Sequence, residues 1–196
     1  MRICAVSEYI KHVAFTGRLV MVGFGSIGQG VLPLLLRHIV MTAEQITVVT
    51  ADNRGLDEAH DYNLKVVIEP LTRANYRTVL DGQVGPGDFL LNLSVDVSSV
   101  ALMEFCQEKG ALYLDTCIEP WQGGYTDPSI PPSRRSNYAM REIALAVKNK
   151  YPGGPTAVST HGANPGVVSY FVKQALLKIA ADTGVAVALP STREQW

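Results

Sequence analysis

A glycine-rich segment, GFGSIG at residues 23–28, is the part of this sequence that points most directly to a bound ligand. It follows a β-rich run and opens a helical pattern. In that context the first glycine of a GxGxxG motif permits a tight turn, the second lets the backbone approach a pyrophosphate, and the third allows close helix packing. Free N–H groups at the helix N-terminus attract the phosphates. The candidate cofactor-binding residues are Gly23, Gly25, Ser26, Ile27 and Gly28. The alternative is that the glycines serve only a tight turn.

An acidic residue follows the second β-rich run, where a dinucleotide-binding protein holds the adenosine ribose. Asp52 lies 24 residues after Gly28, close to the spacing of about 20 expected for this acid. Asp52 therefore favours NAD. Arg54 is the complication, because an arginine just past this strand can receive the 2′-phosphate of NADP. Residues 52–55 could also form no more than a turn, since Asp, Asn and Gly are common turn residues.

Polar side chains follow the fourth, fifth and sixth predicted strands. In open α/β sheets the ligand lies across the carboxyl ends of the strands, so these residues should surround a nicotinamide. Two carboxylates there would suit a cationic substrate, because they accept charge-assisted hydrogen bonds from an ammonium group. The residues are Asn92, Ser94 and Asp96 after strand four, Asp115, Thr116, Cys117, Glu119 and Trp121 after strand five, and His161 and Asn164 after strand six.

Each of these side chains also has a purely structural interpretation. Asp96 could be the N-cap of a helix that begins at Val97. Glu119 could be a solvated loop residue, and Trp121 either a loop anchor or a cation–π partner for the substrate. His161 is either a hydrogen-bonded structural histidine or an acid or base. The sequence contains no recognisable set of metal ligands.

Short β-rich runs alternate with helical patterns from residue 18 onward, which predicts a parallel sheet covered by helices. Several runs are almost continuously apolar, as expected for strands buried on both faces. The predicted strands are Leu19 to Gly23, Ile46 to Thr50, Lys65 to Glu69, Phe89 to Leu93, Ala111 to Asp115 and Thr156 to Thr160. Two helical faces have the apolar residues Ile27, Val31, Leu34, Leu35 and Ile39, and Val168, Phe171, Val172, Ala175, Leu176 and Ile179. The predicted fold is α/β, a Rossmann-type doubly wound sheet of about six strands.

The composition excludes several classes of partner. The 196 residues are 47% hydrophobic and 18% charged, with a formal net charge of -1. A nucleic-acid or anionic-membrane partner requires a concentrated positive field, which is absent here. No apolar run reaches the roughly 18 residues that a membrane span needs. Three cysteines without a CxxC spacing indicate neither a disulfide framework nor a zinc site, so a cytoplasmic location fits best.

The chain divides into three predicted parts. Residues 1–17 form an N-terminal extension, residues 18–183 the dinucleotide-binding domain, and residues 184–196 the start of a truncated connection. Ser191 or Thr192, followed by Glu194, is typical of a capped helix start. Because the chain stops within one turn of that cap, we expect it to be a fragment.

Four segments together resemble the bacterial homospermidine synthases, a family within the saccharopine dehydrogenase-like group. They are VGFGSIGQG (22–30), NLSVDVSS (92–99), YLDTCIEPW (113–121) and STHGANPG (159–166). The resemblance covers about residues 15–196. It implies a tightly held NAD that oxidises putrescine to an imine, with release of ammonia, and then reduces the Schiff base formed with a second diamine. The implied product is homospermidine.

The resemblance also implies roles for single residues. Asp96 and Glu119 correspond to ligands of the substrate amine, and Asn164 and His161 lie in the HGANPG turn near cofactor and substrate. Ser94 and Thr116 would line the nicotinamide side. Family members are more than twice as long, with a second, α+β domain that completes the amine pocket, and they suggest a homodimer. Two alternatives remain: a saccharopine-type amine or amino-acid dehydrogenase, and an inert NAD-binding or assembly module.

Overall fold

The computed structural model describes residues 9–164, 166–192 and 195. Its strands are β1 (Val13–Ala14), β2 (Leu19–Val22), β3 (Ile39–Val40), β4 (Ile46–Thr50), β5 (Lys65–Ile68), β6 (Phe89–Asn92), β7 (Leu112–Asp115) and β8 (Ala157–Val158). Its α-helices are α1 (Ser26–His38), α2 (Leu56–Asp61), α3 (Tyr76–Asp81), α4 (Ser99–Lys109), α5 (Asn137–Lys150) and α6 (Val168–Thr183). Two short 3₁₀ turns cover Ala43–Gln45 and Pro132–Arg134.

The main sheet has six parallel strands in the order β5-β4-β2-β6-β7-β8. Within this sheet, the first strand along the chain is β2, at the centre. The chain then continues outward through β4 and β5, and returns to form β6 on the other side of β2. This is the strand order of a Rossmann fold, whose topological switch point lies between the two central strands. The prediction of a six-stranded Rossmann-type sheet is therefore confirmed.

The hydrophobic core lies on both faces of this sheet. Every residue of β2 is buried, as its continuous apolar run predicts, and every residue of β4 is buried as well, including Thr47 and Thr50. On one face, Phe105 of α4 and Tyr113 pack into a cluster that includes Val20. On the other face, Leu32 of α1 and Phe24 pack into a second cluster that includes Met21 and Val48. The helices are thus fixed to the sheet from both sides.

Residues 9–15, in the described part of the N-terminal extension, pack on the end of α1 in a way that the sequence pattern did not predict. Ile39 was expected to continue the first helix, but it begins β3, which pairs in parallel with β1. The His12 N–H donates to the His38 carbonyl at 2.8 Å. The Lys11 Nζ donates to the Ile39 carbonyl at 3.1 Å. A positive charge at a helix C-terminus is stabilising, which explains why this segment docks there.

Strand β8 is shorter than predicted, because residues 159 and 160 turn out of the sheet to donate hydrogen bonds to Asp115. The segment 121–136 is a loop apart from the turn at Pro132–Arg134. Of the predicted helix start at Ser191 or Thr192, the residue Glu194 lies outside the described residues. Within the described ranges, no helix has both the length and the apolar character needed to cross a membrane.

Helix α6 forms as predicted, but its apolar side chains are exposed. None of its described residues is buried, and Phe171 and Leu176 are 60% and 61% exposed. Val172 and Ile179 of the same face are also more than half exposed. Large exposed apolar surfaces of this kind mark interaction sites.

We expect Asp88 to stabilise the fold substantially. Its carboxylate is 5% exposed and accepts from the Arg18 and Gly85 N–H groups, at 2.7 and 2.8 Å, and from the Arg18 Nε at 2.9 Å. Asp88→Ala should lower the free energy of unfolding by about 2–3 kcal/mol, because it leaves these donors unpaired. Denaturant titration measures the change. The exposed Asp81, paired only with Lys109 at the surface, is the control, and Asp81→Ala should cost no more than about 0.5 kcal/mol. Equal effects of the two substitutions would contradict the assignment.

Candidate cofactor and substrate site

A cleft of about 820 Å³ opens at the switch point of the sheet. Its size is in the range of cofactor pockets. The lining comes from the glycine loop, the end of β4 with Asp52 and Arg54, the loop after β5, the turn after β6, and Trp121 and Gln122. Seven predicted cofactor-binding or substrate-binding residues thus line one cavity: Gly23, Gly25, Ser26, Ile27, Asp52, Ser94 and Asp96.

The glycines of the loop meet three different steric demands. Gly23 has a φ of 88°, and a Cβ there would lie 2.8 Å from the Ser94 nitrogen. A Cβ at Gly28 would lie 2.9 Å from the Gly23 carbonyl oxygen, so only glycine allows this helix approach. At Gly25, by contrast, nothing lies within 4 Å of a Cβ position. The open space at Gly25 is where a pyrophosphate can approach the N-terminus of α1.

Asp52 and Arg54 form an exposed ion pair at the edge of the cleft. The Arg54 backbone N–H donates to Asp52 Oδ1 at 3.0 Å, and its Nη2 donates to Oδ2 at 2.6 Å. These hydrogen bonds from Arg54 hold the pKa of Asp52 below its usual range. The turn considered as an alternative is therefore present, but it leaves the carboxylate on the cleft. Exposed pairs contribute little to stability, so a ribose hydroxyl can replace the guanidinium.

The turn after β6 places Asp96 in the cleft without a capping role. Helix α4 begins at Ser99, and Ser98 is its N-cap, with its Oγ accepting from the Ala101 N–H at 3.3 Å. The interpretation of Asp96 as the N-cap is therefore wrong. Asp96 is exposed, has a φ of 61°, and its carbonyl accepts from the Gln122 N–H at 3.0 Å. A non-glycine residue in this conformation is uncommon and concentrates at functional sites.

Glu119 is half-buried and fixed through its backbone to the start of α4. Its carbonyl accepts from the Ser99 N–H at 2.9 Å, and its own N–H donates to Ser99 Oγ at 3.0 Å. Burial raises the pKa of the Glu119 carboxyl, and the negative charges of Asp96 and Asp115 add to the increase, while a hydrogen bond from Cys117 opposes it. A freely solvated loop residue, the alternative considered for Glu119, would not have these constraints.

Tyr125 lies close enough to Glu119 and Asp96 to interact with their charges, although the sequence analysis did not select it. Its hydroxyl oxygen lies 3.0 Å from both the Ile118 carbonyl oxygen and Asn137 Oδ1, and its single proton can be donated to either acceptor. Burial raises the pKa of Tyr125 to about 12, and the negative charges of Glu119 and Asp96 add to this increase. Tyr125 lies in an aperiodic loop, so the only signal in the sequence was the length of that loop. The acidic corner, defined as Asp96, Glu119 and Tyr125, favours a cationic ligand.

Cys117 and Trp121 have mainly structural surroundings. Burial, with the nearby Glu119, raises the pKa of the Cys117 thiol to about 11, so it is not an activated nucleophile. The Trp121 ring lies 5.3 Å from the Tyr76 ring, at an angle of 55°, and packs against the core. Trp121 thus anchors the loop and also borders the cleft.

Five of the predicted cofactor-binding, substrate-binding or catalytic residues do not line the cleft: Gly28, Thr116, Glu119, His161 and Asn164. Thr116 is half-buried beyond the end of β7, and His161 and Asn164 are exposed in the turn between β8 and α6. A larger cavity, of about 990 Å³, lies among α4, α5 and residues 151–160, and no predicted site residue lines it. In the part of the chain that the structure describes, no three His, Cys, Asp or Glu side chains are grouped as metal ligands.

The strand order and the glycine loop define a dinucleotide-binding Rossmann protein. The family model described as the saccharopine dehydrogenase NADP binding domain matches residues 19–158. The chain therefore belongs to this family.

Similar proteins also confirm the resemblance carried by the four sequence segments. The chain is 49% identical over 194 residues to a homospermidine synthase of Blastochloris viridis, covering 97% of this chain and 41% of that protein. It is 45% identical over 189 residues to the one of Mesorhizobium japonicum, covering 92% and 38%. The crystal structure of the Legionella pneumophila homospermidine synthase in complex with NAD matches with a TM-score of 0.75 and 37% identity, over 94% of this chain and 37% of that one. The chain thus spans about two fifths of the length of these relatives.

The raised pKa of Glu119 can be measured directly. We expect the carboxyl carbon of Glu119 to titrate by NMR with a midpoint above the ordinary value of 4.5. Asp96→Asn should lower this midpoint, because it removes a nearby negative charge that disfavours ionisation. Asp57→Asn, in the first turn of α2, is the control and should leave it unchanged. A Glu119 midpoint that does not respond to Asp96→Asn would show that the two carboxylates do not interact.

Proposed function

We propose that this chain is the NAD-binding part of a homospermidine synthase. The observation that carries the proposal is the cleft at the switch point, which has the glycine loop and Asp52 at one side and Asp96 of the acidic corner at the other. Such a cleft can hold a dinucleotide next to a cationic substrate. The relatives that share this region are homospermidine synthases, and one of them contains NAD.

The cofactor assignment rests on the chemistry of the adenosine end. The N-terminus of α1 would bind the pyrophosphate, and Asp52 would accept hydrogen bonds from the ribose hydroxyls. A 2′-phosphate would meet the negative charge of Asp52, whereas the ribose hydroxyls of NAD would donate hydrogen bonds to it. These features favour NAD, although the family is named for NADP. When bound, NAD supplies the acceptor and donor of a hydride.

The substrate assignment rests on the acidic corner. Carboxylates of Asp96 and Glu119 would accept hydrogen bonds from the ammonium groups of putrescine or a related diamine. Hydride removal from a carbon next to nitrogen gives an imine. Attack by a second diamine then releases ammonia, and return of the hydride to the new Schiff base gives homospermidine. The hydride that leaves the first diamine is restored at the end, so no net oxidation occurs.

The remaining site residues have roles in this proposal that depend on their place at the sheet edge. Ser94 lines the cleft and would contact the nicotinamide side. Thr116 follows β7, and His161 and Asn164 follow β8, so all three lie beyond carboxyl ends of neighbouring strands. We assign Thr116 to the nicotinamide side and His161 and Asn164 to the substrate side of the complete enzyme.

The part of the relatives that this chain does not span would complete the pocket. We assign residues 18–183 to the dinucleotide-binding domain, 1–17 to an extension and 184–196 to a connection toward a second, α+β domain. The exposed apolar face of α6 supports a docking surface for that additional part. A homodimer and a cytoplasmic location belong to the same proposal.

The 196-residue chain should bind NAD. Calorimetry should show saturable binding, and Gly25→Val should reduce the affinity at least about 100-fold, because its side chain would occupy the open approach to α1. Asp52→Ala should weaken NAD about tenfold, the loss of one charge-assisted hydrogen bond. Gly30→Ala is the control, since a Cβ there also meets open space but lies away from the cleft lining.

Two outcomes would overturn the cofactor proposal. Unchanged NAD affinity in Gly25→Val would show that the glycine loop does not bind the pyrophosphate. Unchanged NAD affinity in Asp52→Ala, together with loss of NADP binding in Arg54→Ala, would reverse the preference to NADP.

The substrate proposal predicts an inactive isolated chain and an active extended one. The imine needs protection from bulk water, and one domain provides only one wall of such a pocket. In a chain extended to the length of its relatives, Asp96→Asn or Glu119→Gln should lower kcat/KM for putrescine about 10- to 100-fold and leave NAD affinity intact. Released ammonia without net NADH measures turnover. Homospermidine formation by the purified 196-residue chain, or normal turnover by both variants, would contradict the proposal.

A further inference from the structure

The carboxylate of Asp115 is completely buried and accepts hydrogen bonds from three residues. Oδ1 accepts from the Thr160 N–H at 2.5 Å and from Ser159 Oγ at 2.9 Å. Oδ2 accepts from the Tyr113 hydroxyl at 2.8 Å and from Ser159 Oγ at 3.1 Å. Its exposure is 0%, and all of these partners are neutral donors. A buried carboxylate is costly unless hydrogen bonds compensate for its lost hydration, and these donors supply that compensation.

Asp115 belongs to a chain of hydrogen bonds across the ends of three strands. The Tyr113 hydroxyl accepts from Asn92 Nδ2 at 3.3 Å, and Asn92 Oδ1 accepts from Ser94 Oγ at 2.6 Å. This hydrogen-bond network therefore extends from the cleft residue Ser94, after β6, to residues 159 and 160 beyond β8. Buried networks of this kind specify one arrangement when every member is paired.

Thr160 has a backbone conformation that its side chain disfavours. Its φ is 62°, in the left-handed region, where a β-branched residue is a clear outlier. Such strain persists only where the surroundings enforce it. Here the enforcing contact is the hydrogen bond from the Thr160 N–H to Asp115. The next N–H, of His161, donates to the backbone carbonyl of Asp115 at 2.9 Å. The side-chain carboxylate and the backbone carbonyl of Asp115 therefore both hold this turn.

We propose that Asp115 is a positioning residue that holds residues 159–164 at the carboxyl edge of the sheet. Through the strained Thr160 it sets the place of His161 and Asn164 relative to the turn that contains Ser94. Both carboxylate oxygens act as acceptors, because the Thr160 N–H reaches Oδ1, the Tyr113 hydroxyl reaches Oδ2, and the single Ser159 hydroxyl proton lies between them. The consequence for catalysis rests on the proposed function, whereas the positioning itself does not.

Hydrogen exchange of this chain tests the positioning. Asp115→Asn puts an N–H group against donors, so exchange at the Thr160 and His161 amides should accelerate at least about tenfold, with little change in β2 and β4. Asp127→Asn is the matched control, because Asp127 accepts from Ser129 in an exposed loop turn. Adding Thr160→Gly to Asp115→Asn should restore most of the protection, since glycine adopts a φ of 62° without strain.

A second pair of variants keeps the test valid if Asp115→Asn does not fold. Thr160→Gly should unfold at a higher temperature than Thr160→Ala, the reverse of the usual order, because only glycine relieves the positive φ. Unchanged exchange in Asp115→Asn, a failed rescue, or a more stable Thr160→Ala would each overturn the proposal.

Turnover separates this proposal from the proposed function. In the extended chain, Asp115→Asn should lower kcat for putrescine about tenfold and leave NAD affinity within about threefold, and Thr160→Gly should restore kcat. If the unsubstituted extended chain does not use putrescine at all, the proposed function fails, while the exchange and rescue results still decide the role of Asp115.

Discussion

The alignment of strand ends in the parallel sheet determines where every candidate functional group lies. Val22 of β2 pairs with Val49 of β4 and with Asn92 of β6, and Asn92 pairs with Asp115 of β7. Four strands therefore end at one level, and the loops that follow them start side by side. The Gly23 backbone lies so close to Ser94 that only glycine fits between them. The cleft is a consequence of this register together with the reversal of strand order between β2 and β6.

Opposite electrostatic characters meet in this cleft. The N-terminus of α1 attracts the negative phosphates of a dinucleotide. Beside it lies the acidic corner, of which Asp96 lines the cleft. Burial raises the pKa values of Glu119 and Tyr125, and the negative charge of Asp96 adds to both increases, so this corner disfavours further negative charge. A cofactor with an anionic middle and a substrate with cationic ends would each have one favourable part of the same cavity. This division of charge gives the proposed diamine chemistry a physical basis that does not depend on the names of relatives.

The features predicted correctly from the sequence are those with local periodic signals. The continuous apolar run of β2 and the glycine spacing required no long-range information. By contrast, β1 and β3 contain two residues each, too few to show a period, and Ile39 matched the helical spacing of α1 by coincidence. The contacts of Tyr125 and Asp115 join residues far apart in the chain or in aperiodic loops, so spacing alone could not reveal them. The interpretation of Asp96 as an N-cap failed because α4 begins at Ser99, two residues after the expected start at Val97, and Ser98 caps it.

The crystal structure of this chain with NAD would test the account most directly. We predict the pyrophosphate at the N-terminus of α1 beside Gly25, and the adenosine ribose hydroxyls on the Asp52 carboxylate in place of the Arg54 guanidinium. The nicotinamide end should lie toward Ser94 and the acidic corner. NAD bound in the cavity of about 990 Å³ among α4, α5 and residues 151–160, with the switch-point cleft empty, would contradict the account.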